Sequence, residues 1–368
     1  MSKDVISDRY ARLYEMPRQL ALHGHDVLGL CLAYRPQTAG RWIHEAAPGQ
    51  LQWSARSLGR MPLPGLLAYP WQVLDELRGF APDVLIGASD IPHAALTAWL
   101  ARRLKVPYAI DLYDNFEGFG QARIPGFVPA LRSATRHAAL VTTTSTPLRE
   151  FVLEEYAVQG EVLALESTVD RAVFRPREQL TCRRALGLPE HARLIGTAGG
   201  LYRDKGVLPL YDAWRLLSER MPNVHLVLAG PQDPELPAPK GPRVHDLGQL
   251  EHARVAELFC ALDVGVISIL DTAFGRFCFP QKAYEMLACG LPVAAADVGA
   301  MSTLFAATPQ ALFESGHAEQ LTRAIERQLL APVRPRIEIE DWSQLIGRME
   351  SRLQHIVQPG AALRSRAA

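Results

Sequence analysis

An α/β fold in two doubly wound domains is the architecture this sequence predicts, and three observations carry it. Short apolar runs alternate with segments of helical period from about Tyr10 to Leu329. The length, 368 residues, suits two domains that each bury a core. The alternation lapses over Glu166–Pro176 and then resumes, which marks a boundary. The expected domains are therefore 1–166 and 167–342, followed by a closing helix and tail over 343–368.

In the first half, Tyr10–His23 reads as a helix stopped by Gly24, and Asp26–Tyr34 as a strand. Trp71–Leu77 reads as helix, Asp83–Gly87 as strand and Pro92–Leu104 as helix. Tyr108–Leu112 and Ala138–Thr142 are further strands, and Thr146–Tyr156 is a helix with a serine or threonine near its cap. Such β–α alternation builds a doubly wound sheet.

The second half repeats the theme. Leu194–Ala198, His225–Gly230, Val244–Leu247, Val264–Ile269 and Pro292–Ala296 are expected strands. Gly206–Arg220, His252–Ala261, Gln281–Cys289 and Ala318–Leu329 are expected helices. Pro-rich stretches at Leu236–Pro242 and Pro332–Pro335 are surface connections. Ser343–Ile356 is a final helix, and Arg364–Ala368 a frayed tail.

The most informative stretch is Phe279–Gly299, F-P-Q-K-A-Y-E-M-L-A-C-G-L-P-V-A-A-A-D-V-G. Pro280 suits a first helical position. Ala283, Met286 and Leu287 share an apolar stripe, while Lys282 and Glu285 share a charged face. Gly290 terminates the helix, and Leu291–Ala296 is a buried strand. A lysine at a helix N-terminus beside an α/β sheet suits an anionic ligand. An ordinary amphipathic α–β unit carries the same pattern.

This stretch resembles the donor-site signature of the GT-B glycosyltransferases, in particular glycosyltransferase family 4. Gly199–Val207, G-G-L-Y-R-D-K-G-V, resembles that family's phosphate-binding loop ending in Lys-Gly. Val169–Pro176, V-D-R-A-V-F-R-P, resembles its interdomain segment. The three stretches occur in the family's order and cover most of the chain from about Ser145. The resemblance implies two Rossmann-like doubly wound domains facing across a cleft, the first binding acceptor and the second donor, with the final helix crossing back to the first. It also implies retention of anomeric configuration and no bound metal.

Glycosyl transfer from a nucleotide diphosphate sugar builds negative charge on the leaving diphosphate, so fixed cations and N–H dipoles are needed there. Lys205 and Arg203 follow a strand, and Gly199 and Gly200 let the backbone approach a phosphate. The helix beginning near Gly206 adds its N-terminal dipole. Lys282 is a further cation. By resemblance, Glu285 accepts hydrogen bonds from the nucleotide ribose; the bland alternative is a surface glutamate paired with Lys282. Two departures stand out. The family's arginine before the loop lysine is Gly200 here, with Arg203 as a substitute. The first glutamate of the family's paired motif is Phe277.

In the first domain, Asp111–Gly118 (D-L-Y-D-N-F-E-G) follows a strand and resembles the acceptor-side segment. Asp114 and Glu117 are the candidates for orienting or deprotonating the acceptor hydroxyl, with Asp90 and His93 at a neighbouring strand end. Turn and capping duty is the alternative. The resemblance also notes a longer opening strand with a Gly-rich turn in family members. Here only Asp4–Ser7 precede Asp8-Arg9-Tyr10, so the first strand is either minimal or truncated.

Basic and acidic residues balance at 39 each, which leaves no global field for nucleic acid. Locally, Gly118–Arg149 holds Arg123, Arg132, Arg136 and Arg149 with no acidic residue, interleaved with Ile124, Phe127, Val128 and Leu131. That face suits peripheral contact with an anionic membrane or a lipid-linked acceptor. No apolar run reaches membrane-span length, no secretory signal opens the chain, and the five cysteines are scattered. A cytoplasmic protein without cofactor or metal is expected, and His23 and His25 are read as surface residues at a turn. The leading function is glycosyl transfer from a nucleotide sugar to a glycan or lipid-linked acceptor. A non-catalytic GT-B nucleotide- or partner-binding module and a GT-B sugar-nucleotide epimerase are the alternatives.

Overall fold

The apolar runs fold as parallel strands wrapped by helices. The structure, a computed structural model, describes residues 5–33, 39–58 and 62–364. It divides into two compact units, one of Met1–Ser167 with Trp342–Ala368, the other of Thr168–Asp341.

The first unit begins with a helical turn, α1 (Val5–Asp8), and helix α2 (Arg12–Leu22). No strand precedes β1 (Asp26–Ala33) among the described residues. Position 34, expected to end this strand, and positions 1–4 lie outside the described residues, as do 365–368 of the expected tail. Then come β2 (Gly40–His44), β3 (Gln50–Ser57) and α3 (Pro62–Phe80). The alternation expected from the sequence follows as β4 (Leu85–Gly87), α4 (Ile91–Leu104), β5 (Tyr108–Leu112), α5 (Phe127–Arg136), β6 (Leu140–Thr143), α6 (Thr146–Tyr156) and β7 (Glu161–Ala164).

Two sheets result. One is ordered β1-β3-β2, with β1 parallel and β2 antiparallel to β3; the other is the parallel run β4-β5-β6-β7. Strands β2 and β3 escaped the reading because Gln, Ser and Arg interrupt their apolar residues. Alternation is nonetheless there: Leu51, Trp53 and Ala55 turn one buried face of β3 inward.

A buried polar network ties α2 to the second sheet. The Arg12 guanidinium donates to both oxygens of Asp111 on β5, and to the Leu165 carbonyl. Thr142 Oγ1 on β6 donates to the same Asp111 carboxylate at 2.6 Å. The C-terminal helix (Trp342–Arg364) seats Trp342, Leu345, Ile346, Met349 and Leu353 in a core with Met16, Leu20, Ala109, Leu140 and Leu165. His23 and His25 are not idle surface residues. Their ring nitrogens lie 2.7 and 2.9 Å from the two Glu350 oxygens, and His23 also meets Ser343 Oγ at 2.9 Å.

The second unit contains α7 (Gln179–Ala185), β8 (Arg193–Ala198), α8 (Val207–Arg220), β9 (Val224–Ala229), β10 (Val244–Asp246), α9 (His252–Ala261) and β11 (Val264–Ile267). It closes with α10 (Ala273–Phe277), α11 (Lys282–Ala288), β12 (Val293–Ala296), α12 (Ala300–Leu304), β13 (Leu312–Phe313) and α13 (Ala318–Leu330). One parallel sheet runs β10-β9-β8-β11-β12-β13. Its central strands are buried on both faces, as a sheet with helices on each side requires.

Candidate functional site

The strand order of the second unit reverses its winding between β8 and β11. Chains leaving the carboxyl ends of those two strands turn to opposite faces and open a crevice, where open α/β sheets bind ligands. The sequence-predicted donor residues stand at this place.

From β8 the chain passes through Gly199, with φ +107°, and Gly200 into a 3₁₀ turn, Arg203–Lys205. Gly206, φ +73°, then starts α8. A Cβ on Gly206 would overlap the carbonyl oxygen of Ser268, just past β11, so only glycine lets the two loops touch. The helix expected from Gly206 thus begins one residue later, and Lys205 sits on the turn before it. Its Nζ lies 3.2 Å from the ring centroid of Phe274 and 3.9 Å from Asp204 Oδ2. Arg203 is exposed.

Pro280 is not the first helical residue. The helix starts at Lys282, and Pro280 instead accepts a turn bond from Ala283 N at 2.8 Å. Ala283 and Met286 enter the core as expected. Lys282 and Glu285, expected on one charged face of the helix, are drawn into the crevice. Lys282 Nζ donates to Thr197 Oγ1 on β8 at 3.2 Å and faces Gly199, where an added Cβ would lie 3.6 Å from it. Burial lowers its pKa to about 8; Glu285 opposes this shift, and Lys205 adds to it. Glu285 accepts from Gln281 Nε2 at 3.0 Å. Burial raises its pKa to about 7, against the Gln281 bond and the Lys282 charge. Two ammonium groups and one carboxyl therefore converge on the crevice, and the carboxyl and one amine titrate near neutrality.

The acceptor-side candidates lie in the first unit. Asp114 is half-buried after β5, and its Oδ1 accepts from Asn115 N at 2.8 Å. Glu117 stands on a 3₁₀ turn, Phe116–Gly118, with both oxygens held by Arg132 at 2.7 and 3.2 Å. That bidentate pair makes Glu117 less available for proton transfer than the sequence suggested. Asp90 caps α4: it accepts from His93 N at 3.0 Å and pairs with His93 Nδ1 at 2.6 Å. Burial raises its pKa, but the His93 bonds overcome this and hold it below the usual value.

The basic segment is largely spent internally. Arg132 binds Glu117 and Glu155, Arg136 donates to the Tyr156 carbonyl and Arg149 to the Val162 carbonyl. Arg123 and Ile124 remain exposed.

Sequence reasoning missed Thr197, Phe274 and Gln281, the partners of the three charges. Thr197 left a signal, a lone hydroxyl in the apolar run L-I-G-T-A. Phe274 left none. Phe277, where the family pattern has a carboxylate, is half-buried. Among the described residues no group of three or more His, Cys, Asp or Glu side chains could hold a metal ion. No helix among them is long and apolar enough to cross a membrane.

Comparison with known proteins agrees with this geometry. Residues 192–330 match the family described as glycosyl transferases group 1, and residues 11–168 match the glycosyl transferase 4-like domain. A Bacillus subtilis (strain 168) protein, provisionally named as a teichuronic acid biosynthesis glycosyltransferase, is 26% identical over 80% of this chain and 70% of its own length. The D-inositol 3-phosphate glycosyltransferase of Stackebrandtia nassauensis is 34% identical over 49% of this chain and 43% of its own. That of Mycobacterium bovis (strain BCG / Pasteur 1173P2) is 28% identical over 80% and 65%.

Among solved structures, sucrose-phosphate synthase from Thermosynechococcus elongatus superposes with a TM-score of 0.69 at 18% identity, covering 96% of this chain and 92% of that one. The Anabaena protein HepE, in complex with UDP and glucose, gives 0.61 at 20% identity, over 85% and 86%. Both share the fold. With matched families on both units and solved structures of the same fold, the chain belongs to the GT-B group 1 glycosyltransferases.

Proposed function

We propose that this protein transfers a hexosyl group from a nucleotide-diphosphate sugar to a hydroxyl of a glycan or lipid-linked acceptor, with retention of configuration. The observation that carries this reading is the convergence of Lys205, Lys282 and Glu285 at the winding reversal between β8 and β11. Departure of the nucleoside diphosphate leaves an oxocarbenium-like sugar and a growing anion. In this reading Lys205 swings from the Phe274 ring onto the diphosphate, and Lys282 adds a second positive charge. The 14-residue helix α8 contributes its N-terminal dipole. These groups stabilise the charge that develops in the transition state. Glu285, ionised, accepts from the ribose hydroxyls. Asp114 serves the acceptor hydroxyl, and Glu117 holds its neighbourhood through Arg132. Solved relatives of this fold are described in complex with UDP and with UDP-glucose, which supports a uridine nucleotide as the first donor to test.

Contact with an anionic membrane surface belongs to the same reading, through Arg123 and Ile124. Its test is salt-sensitive retention on anionic but not neutral vesicles. One observation favours a second reading, a nucleotide-binding module or an epimerase. Phe277 puts an apolar ring where the family pattern places a carboxylate. Thermal shift with nucleoside diphosphates and their sugar conjugates, followed by product analysis with candidate acceptors, separates these. Stabilisation by a nucleotide sugar with hydrolysis or transfer supports the transferase. Stabilisation without turnover supports the binding module, and conversion of the sugar nucleotide to its epimer supports the epimerase. No stabilisation by any of them removes the site from the crevice.

A further inference from the structure

Three thiols meet inside the second unit. Cys182 on α7, Cys260 on α9 and Cys289 at the C-terminal end of α11 are buried in one core cluster. Cys260 stands between the other two and hydrogen bonds with both. Its Sγ donates to the Arg175 carbonyl at 3.4 Å, and Cys289 Sγ donates to the Ala256 carbonyl at 3.8 Å. A core cysteine ordinarily packs as a small hydrophobe. Two observations set this group apart.

The first is access. Cys260 and Cys289 line a cavity of ≈ 270 Å³, and Cys182 does not. Exposed Arg193, Pro332 and Arg334 line the same cavity, so it joins the two sulfurs to solvent. Arg193 opens β8, while Asp263 and Pro292 directly precede β11 and β12. The cavity therefore lies at the amino ends of the strands, and the crevice at their carboxyl ends is a separate place.

The second is charge. The Cys289 hydrogen bond, with the peptide N–H and the positive charge of Arg177, favours a thiolate at Cys260. Together they outweigh burial and lower its pKa to about 7. The shared bond and burial push the Cys289 thiol up, and burial pushes Cys182 up to about 11. One sulfur of the pair is thus a nucleophile and its neighbour a protonated thiol.

We propose that Cys260 and Cys289 form a peroxide-reactive redox site that closes to a disulfide between α9 and α11. The Cys260 thiolate attacks one peroxide oxygen and the O–O bond breaks. This leaves a sulfenic acid on Cys260 and a hydroxide, which takes a proton and departs as water. The Cys289 sulfur then attacks the Cys260 sulfur. The S–O bond breaks, an S–S bond forms, and a second water leaves with the Cys289 proton. Two thiols lose two electrons, and the peroxide is reduced to two waters. Sulfurs already in hydrogen-bond contact need only close to about 2.0 Å. Cys289 N donates to the Glu285 carbonyl at 3.2 Å, so the link ends one helical turn from Glu285. The inference is independent of the donor chemistry.

The test treats the full chain with hydrogen peroxide, alkylates it with iodoacetamide, and maps an unreduced digest by mass spectrometry. The peptides of Cys260 and Cys289 should appear joined, lighter by two hydrogens than their sum, and dithiothreitol should separate them. Before oxidation, iodoacetamide should modify Cys260 roughly ten-fold or more faster than Cys278. Cys278 is the fair reference, because both are 7% exposed and belong to the same core cluster. Cys289→Ser should halt the reaction at a sulfenic acid on Cys260, trapped by dimedone, and Cys260→Ser should leave Cys289 reduced. Cys260 and Cys289 still open to alkylation after peroxide would overturn the proposal. So would a disulfide formed through Cys182, or Cys278 reacting as fast as Cys260.

Discussion

In the first unit, Asp111 is closed off by Arg12 and Thr142, Glu117 by Arg132, and Asp90 by His93. Glu76 takes Arg41 and Arg56, and Glu350 takes both His23 and His25. In the second unit's crevice the closest partners are mostly neutral. Lys282 leans on a threonine hydroxyl, Glu285 on an amide and Lys205 on an aromatic ring. The contrast separates two uses of charge. A buried group satisfied by its opposite stabilises the fold and has little left for a ligand. A group held by neutral neighbours keeps the capacity to bind an ion, and at Lys282 and Glu285 burial also shifts the pKa, which marks a candidate site.

The comparison can be broken by substitution, because the two classes should fail differently. Arg12→Met strands the Asp111 carboxylate in the core and should cost about 3–5 kcal/mol of stability in urea unfolding. Nucleotide affinity of the folded fraction should stay unchanged. Lys205→Ala should leave urea stability within about 0.5 kcal/mol. It should lower kcat by about 10²–10³, as for a lost transition-state donor. A stability loss for Lys205→Ala, or unaltered kcat, would place Lys205 among the structural pairs.

Glu285 sharpens the same contrast through pH. Its folded pKa of about 7 stands above its ordinary 4.5, so the folded chain holds this proton more tightly than the unfolded chain does. On this group's account stability is greatest below the ordinary value and declines until pH reaches about 7. Nucleotide affinity should run the opposite way and strengthen as the carboxylate forms. Glu285→Gln should raise KM about ten-fold with a smaller change in kcat, and should flatten the affinity profile near neutrality. An inflection that survives in Glu285→Gln belongs to another group.

The smallest effect is expected at Glu350. Burial raises its pKa, but the bonds to His25 and His23 outweigh this and lower it. Its contribution is therefore present above the ordinary carboxylate value and is lost as pH falls through the lowered one. Glu350→Gln should cost about 1 kcal/mol at neutral pH and nothing in strong acid. An equal cost at both would show packing rather than charge.

Much of this could be read from the sequence because the determining forces are local. Tyr108–Leu112 and His252–Ala261 have the predicted bounds, since an uninterrupted apolar run and a clean helical period need no distant partner to define them. The turn from Gly199 to Gly206 between β8 and α8 was legible for the same reason: its glycines and lysine follow one another directly. Long-range features were not legible. The Lys205–Phe274 contact joins residues nearly seventy positions apart, and nothing local marks it. The carboxyl of Glu285 looks like any helix-surface glutamate until the crevice removes its water. The exposed face expected over Gly118–Arg149 shrank because Arg132, Arg136 and Arg149 found acceptors that only the tertiary fold supplies.

The helix at the end of the chain carries a consequence for synthesis. Trp342, Leu345 and Ile346 complete the core around Met16 and Leu140, so the first unit to leave the ribosome cannot close until the last segment has emerged. The second unit, Thr168–Asp341, is contiguous in sequence and emerges before that helix, so it can finish folding earlier. Chains domain-ordered along the sequence usually fold from the N-terminus onward. Here the order of completion is inverted, and a nascent chain stalled near Asp341 should hold a protease-resistant second unit beside a first unit that proteases still cut.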